Sequence, residues 1–177
     1  SGTTSSRTTP ARPSPGRCTD MRVFVSVGTD HHPFDRLVGW SERWADAHPD
    51  DIVVVQHGTT RAPVGVDHAE LYRREDMRAQ IEQADAVVIS CGPGGVMDVR
   101  STGRRPIVVA RRADLGEHVD DHQRAFAQHL ARTGLAVCVE SEQDFDSALE
   151  DARVRPAAWT VESDRSPPSG IARIGEL

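Results

Sequence analysis

Three short stretches concentrate residue types that do chemistry. In Ser90-Cys91-Gly92-Pro93-Gly94-Gly95-Val96-Met97-Asp98, three glycines follow an apolar run and lead into a helical pattern. Bare backbone N–H groups at the start of a helix form an anion cradle, so Gly92, Gly94 and Gly95 suit a diphosphate. Asp98, about one turn on, is placed to accept from ribose hydroxyls; as a helix-dipole partner it would need no ligand. In Ser26-Val27-Gly28-Thr29-Asp30, Gly28 permits close backbone approach and Thr29 offers a hydroxyl. On these residues alone, a tight turn capped by Thr29 or Asp30 is the favoured reading. In Gly116-Glu117-His118-Val119-Asp120-Asp121-His122-Gln123, two histidines, three carboxylates and an amide crowd together. On a helix, His118 and His122 would share a face, a spacing able to ligate a metal. The sequence is not HExxH, and hydrogen bonding to a polyhydroxylated ligand is preferred, so no metal is assigned. Asp120 and Asp121 also suit the first turn of a helix through its dipole.

Composition narrows the chemistry. All 21 basic residues are Arg, which excludes a P-loop or Schiff-base Lys. The glycine stretch is not GxGxxG, so a dinucleotide fingerprint is absent. Net charge is −6, against a general nucleic-acid binder. Cys18, Cys91 and Cys138 form no CxxC pair, against a zinc knuckle or redox motif, and their odd number fits a reducing cytoplasm. Cys91 reads as a small buried residue rather than a nucleophile. Weaker signals are His31 and His32, which follow the first glycine turn as candidates for lining a cleft, and His57, which follows the second strand. No run of apolar residues is long enough to cross a membrane.

The elements that position these stretches alternate. Residues 1–20 are rich in Ser, Thr, Pro and Arg and are expected to be a disordered tail without a secretory signal. Strands are expected at Arg22–Val27, Asp51–Gln56, Ala86–Ser90, Pro106–Ala110 and Leu135–Val139. Helices are expected at Phe34–Ala47, Asp76–Ala84, from after a Gly-Pro-Gly-Gly turn at 92–95 through about Ser101, Val119–Thr133 with Gly134 as its cap, and Gln143–Ala152. Continuous Val/Ile runs read as strands buried on both faces. That implies an α/β domain over 21–154, a Rossmann-like parallel sheet with helices on both faces. Residues 155–177 read as an extended tail in which Ala157, Trp159 and Val161 are available for docking. Ligands of such sheets bind beyond the carboxyl ends of the strands, where all three chemical stretches fall.

Four motifs in order resemble a known family. Val27-Gly28-Thr29 with Phe34-Asp35-Arg36-Leu37 looks like V-G-T-x-x-x-x-F-D-R-L, and Gln56-His57-Gly58 like Q-x-G. Ala84-Asp85-Ala86-Val87-Val88-Ile89-Ser90 with the glycine stretch looks like A-D-x-V-I-S-H-x-G-x-G-[ST]. Residues 116–123 look like G-E-H-V-D-D-H-Q. Over about residues 21–152 the chain is similar to the carboxyl-terminal domain of the family 28 glycosyltransferases. More narrowly, it resembles the stand-alone version, the small catalytic subunit of two-part enzymes. These include the eukaryotic UDP-N-acetylglucosamine transferase acting on dolichol-linked sugar and bacterial exopolysaccharide transferases. The resemblance implies the C-terminal half of a GT-B fold that binds a UDP-sugar and serves a lipid-linked acceptor. Gly28, Thr29, Gly92, Gly94 and Gly95 would face the diphosphate, Asp98 the ribose, and His118, Asp121, His122 and Gln123 the donor sugar. A membrane-anchored partner subunit would supply the acceptor half and the catalytic base, and hold the chain at the inner face of the membrane. No cofactor is implied. The chain departs from the pattern at Cys91 (for His), at Gly95 (for Ser or Thr), at Asp98 (for Glu) and in a loop one residue short. Ala110-Arg111 replaces Pro-Arg. These departures motivate the alternative, a non-catalytic nucleotide-binding or interaction subunit.

Overall fold

The computed structural model describes residues 20–161 of the 177. Residues 1–19 of the expected 1–20 tail and the stretch 162–177 lie outside the described residues. The chain forms β1 (Arg22–Ser26), α1 (Asp35–Ala47), β2 (Ile52–Gln56), β3 (Asp67–Ala69), α2 (Arg74–Gln83) and β4 (Ala86–Ser90). It continues with α3 (Pro93–Ser101), β5 (Ile107–Val109), α4 (His122–Thr133), β6 (Val137–Val139) and α5 (Glu142–Val154). Short 3₁₀ turns occupy Ala113–Leu115 and Pro156–Trp159.

All six strands are parallel, in the order β3-β2-β1-β4-β5-β6. The chain winds outward from β1 to β3, then returns to the centre and winds the other way. β1 and β4 therefore lie side by side at the point where the order reverses, the place where such sheets open a crevice. This is the Rossmann-like arrangement that the Val/Ile runs imply.

Alternation along the strands sorts the core into two layers. Val23 and Val25 of β1 join Leu37, Trp40, Trp44, Phe145, Leu149 and Trp159, under α1 and α5. Phe24 faces the other way, with Ile81, Ile89, Val96, Val99 and Leu130 under α2, α3 and α4. Two charged side chains clamp the first layer. The carboxylate of Asp51 accepts from the Met21 N–H (2.9 Å), Trp44 Nε1 (2.9 Å) and both terminal nitrogens of Arg153 (3.0 and 2.7 Å).

Four features differ from the sequence expectation. β3 is an additional edge strand, polar and largely exposed, so it carries no apolar signature. α4 starts at His122 rather than Val119, because residues 116–121 satisfy one another locally. Asp120 Oδ1 accepts from the His122 N–H (3.0 Å) and His118 Nδ1 lies 3.3 Å from the Asp120 N, bonds that compete with helix formation. His118 and His122 consequently do not share a helical face. α5 runs longer than expected, opened by a capping box between Ser141 and Asp144. Finally, residues 156–161 pack on the domain itself. Trp159 is buried, its Nε1 donates to Asp151 (3.0 Å), and the Trp159 and Gly103 carbonyls accept from the Arg105 and Val161 N–H groups (both 2.9 Å).

Candidate functional site

The crevice is built where β1 and β4 end. Gly28 has a φ of +82°, and a Cβ there would stand 2.6 Å from Ser90 Oγ. Only glycine lets the first turn lie this close to the end of β4. Ser26 Oγ accepts from the Gly28 N–H (3.2 Å) and from Gln56 Nε2 (3.0 Å), while Gln56 Oε1 accepts from the Tyr72 N–H (3.1 Å). The buried Gln56 amide thus fixes the first turn to the segment beyond β3. On the β4 side, Gly92 caps α3 without a side-chain bond, Pro93 starts the helix, and a Cβ at Gly92 or Gly94 would meet nothing within 4 Å. The Gly94 and Gly95 N–H groups have no acceptor within the helix, so they remain to be met by solvent or a ligand. Thr29 is exposed beside this opening.

A buried cation holds the surrounding loops. Arg111, fully inaccessible, donates from Nη2 to the Val27 carbonyl (2.8 Å) and from Nη1 to the His32 (2.7 Å) and Glu117 (3.0 Å) carbonyls. Its guanidinium lies 4.6 Å from the Phe34 ring centroid, a favourable cation–π placement. Burial pulls the Arg111 pKa down, and the negative charges of Asp30 and Glu117 counter this. Glu117 receives Arg36 Nε (2.9 Å) and Nη2 (2.7 Å) and the Arg112 N–H (2.9 Å), and Arg36 also reaches the Ala110 carbonyl (2.9 Å). Sequence reasoning assigned no role to Arg111, Glu117 or Arg36. Their partners lie far away in the chain, and the available signal was a run of charge directly after the apolar β5.

The candidate residues are distributed as follows. Gly28, Thr29, Gly92, Gly94 and Gly95 gather at the β1–β4 opening. His118 reaches the first turn, with Nε2 3.5 Å from Asp30 Oδ2. Gln123 turns inward, its Oε1 accepting from the Arg111 N–H (3.1 Å). Asp121 is exposed, with Oδ1 3.4 Å from the Ala113 N, and His122 projects into solvent with an 89 % exposed side chain beside Asp120. The His122 N–H, then the His122 ring, hold the Asp120 carboxyl below its ordinary range. Asp98 lies apart, in a groove of α3 shared with Arg74, Met77 and Arg78 of α2. Cys91 is fully buried, and burial pushes its thiol up to about 12, which makes it an inert core residue.

A doubly wound parallel sheet, with glycines and fixed polar loops at its switch point, defines a Rossmann-like domain whose ligand belongs beyond the strand ends. The chain matches the glycosyltransferase family 28 C-terminal domain over residues 22–166 and belongs to that family. Among solved structures it is similar to the glycotransferase of kitacinnamycin (TM-score 0.60, 21% identity, covering 84% of this chain and 38% of that one). It is also similar to CalG4, the calicheamicin glycosyltransferase (0.58, 16%, 82% and 38%), and to MurG of Acinetobacter baumannii (0.52, 20%, 81% and 45%). At these identities the likeness is one of fold, that of the GT-B glycosyltransferases. The chain spans less than half the length of each. No curated protein matches the sequence at a significant level. Among the described residues, no helix is long and apolar enough to cross a membrane.

Proposed function

We propose that this chain is the donor-binding half of a two-part glycosyltransferase, moving a sugar from a UDP-sugar to a lipid-linked acceptor. The observation that carries this reading is the open glycine turn at the β1–β4 switch point in a family 28 C-terminal domain. The Gly94 and Gly95 N–H groups and the positive end of α3 stabilise the diphosphate as it leaves, an electrostatic role for fixed dipoles. Thr29 and the Gly28 turn close the other side of the phosphate cradle. Asp121, His122 and His118 face the sugar, with the Gln123 amide nitrogen as a donor while its oxygen holds Arg111. A membrane-anchored partner supplies the acceptor half, including the base that deprotonates the acceptor hydroxyl, and brings this chain to the cytoplasmic membrane face. Alone, the chain has little transfer activity.

The test is calorimetric titration of UDP, ADP and GDP into the chain with and without its partner, followed by transfer of labelled sugar by the complex. Selective UDP binding and transfer by the complex alone support the reading. Absence of UDP binding even with the partner favours a non-catalytic interaction subunit. The position of Asp98 in the α2–α3 groove and the burial of Cys91 speak for that second reading.

A further inference from the structure

One cluster brings three residues without a role above, Asp30, His31 and His32, up to His118, placed above beside the donor sugar. Asp30, His31 and His32 bring a carboxylate oxygen and two imidazole nitrogens within 4.8 Å of one another. His32 Nδ1 is 2.7 Å from Asp30 Oδ1, and the His31 and His32 ring centroids are 4.0 Å apart. A third imidazole arrives from a different loop, with His118 Nε2 3.5 Å from Asp30 Oδ2 and its ring 5.9 Å from that of His32. The two ligand-bearing loops are held by one buried group, because Arg111 bonds the carbonyls of both His32 and Glu117. The Asp30 carboxylate is oriented as well, since Oδ1 also accepts from the His32 N–H (2.8 Å). His32, Asp30 and His118 are partly shielded, while His31 is exposed, so the cluster has an anchored side and an open side.

We propose that Asp30, His31, His32 and His118 form a binding site for one divalent transition-metal ion of the zinc class. Three imidazoles with one carboxylate is a donor set that suits zinc, nickel or copper rather than magnesium or calcium, which take oxygen ligands. Binding adds a second link between the β1–α1 loop and the loop before α4, which Arg111 already joins. The site shares His118 with the donor reading, but zinc uptake is measured without nucleotide, so the site stands or falls whether or not the chain binds a nucleotide sugar.

The test is calorimetric titration of zinc chloride into the metal-stripped full-length chain, without nucleotide, in a non-chelating buffer. The expected result is one saturable site. H31A, an exposed position whose loss leaves the fold intact, and H118A each weaken zinc at least about tenfold, and D30N/H32A abolishes the site. His57→Ala, in the separate His57–His68 pair (ring centroids 5.3 Å apart), leaves affinity unchanged. Cobalt loaded into the site gives visible d–d absorption, lost in the same variants, and millimolar magnesium does not displace it. Absence of saturable zinc uptake, or uptake that survives D30N/H32A in a variant with a wild-type unfolding transition, overturns the proposal. UDP titration in the presence of EDTA is read separately, so failure of one assignment is distinguishable from failure of the other.

Discussion

Arg111→Met removes the guanidinium that ties three loops together. The three backbone carbonyls at Val27, His32 and Glu117 lose their donors in a region without solvent. Each unsatisfied buried acceptor costs about 1–3 kcal/mol, or roughly 3–9 kcal/mol for the three. Against this, the variant no longer buries a charge, which returns several kcal/mol, and Met keeps most of the apolar stem. The net expectation is a loss of about 3 kcal/mol. For a domain of this size that lowers Tm by roughly 10 °C. Urea unfolding should give the same difference through the midpoint with m unchanged. Because the loops carrying Thr29 and residues 117–123 lose their common anchor, UDP affinity should fall with stability. Arg111→Lys should fail almost as badly, since a single ammonium cannot reproduce the planar fork that reaches three carbonyls. A Tm within about 2 °C of wild type for Arg111→Met, with UDP binding intact, would refute the view that this cation holds the site together.

Four other expectations follow from separate parts of the molecule. Gly28→Ala places a Cβ on a +82° backbone and 2.6 Å from Ser90 Oγ, so thermal unfolding should show a loss of at least about 1–2 kcal/mol. Gly94→Ala meets open space, so it should gain about 0.5–1 kcal/mol of stability while weakening UDP in calorimetry. For Asp51, burial opposes ionisation, but Arg153, the Met21 N–H and Trp44 outweigh it and hold the folded pKa below the ordinary value of 3.8. The unfolded chain therefore takes up this proton first as acid is added. The stabilisation is complete above about 3.8 and is lost as pH falls from there through the folded pKa, and Asp51→Asn should flatten that limb of an acid-unfolding curve. Cys91, buried with its thiol raised to about 12, should resist iodoacetamide at pH 8 in peptide-resolved mass spectrometry and react only in urea.

The parts of the fold that were legible were those in which burial leaves a local mark. β1, β2, β4 and β5 are Val/Ile runs because they are covered on both faces. β3 is Asp67-His68-Ala69, and its place is fixed by pairing to Val54–Gln56 rather than by its side chains, so no periodicity announces it. Trp159 stood out as an aromatic in a proline-containing stretch, but its seat depends on Asp151 and Arg105, which only the folded chain brings near. In the site, the glycines were legible as positions where backbone must approach or stay bare. The Arg111–Glu117–Arg36 web was not, since its bonds join residues as many as 84 positions apart and leave no repeat or spacing to read.

That web divides the 116–123 motif into two kinds of residue, and the division can be measured. Glu117 is buried with both oxygens engaged, and Gln123 gives its carbonyl oxygen to the Arg111 N–H. These two side chains set the loop. Asp121 and His122 are exposed, and Val119 is 74 % exposed, so none of the three is held in place by packing. Glu117→Ala should therefore cost about 3–5 kcal/mol, because it strands the half-buried Arg36 guanidinium and the Arg112 N–H. Asp121→Ala and His122→Ala should change stability by less than about 0.5 kcal/mol, yet lower turnover of a UDP-sugar by the assembled complex. Urea unfolding and a transfer assay on the same preparations separate the two effects. If Asp121→Ala and His122→Ala leave turnover intact, the exposed half of the motif does not contact the donor sugar. The sugar contacts must then be sought on the first turn, around Thr29.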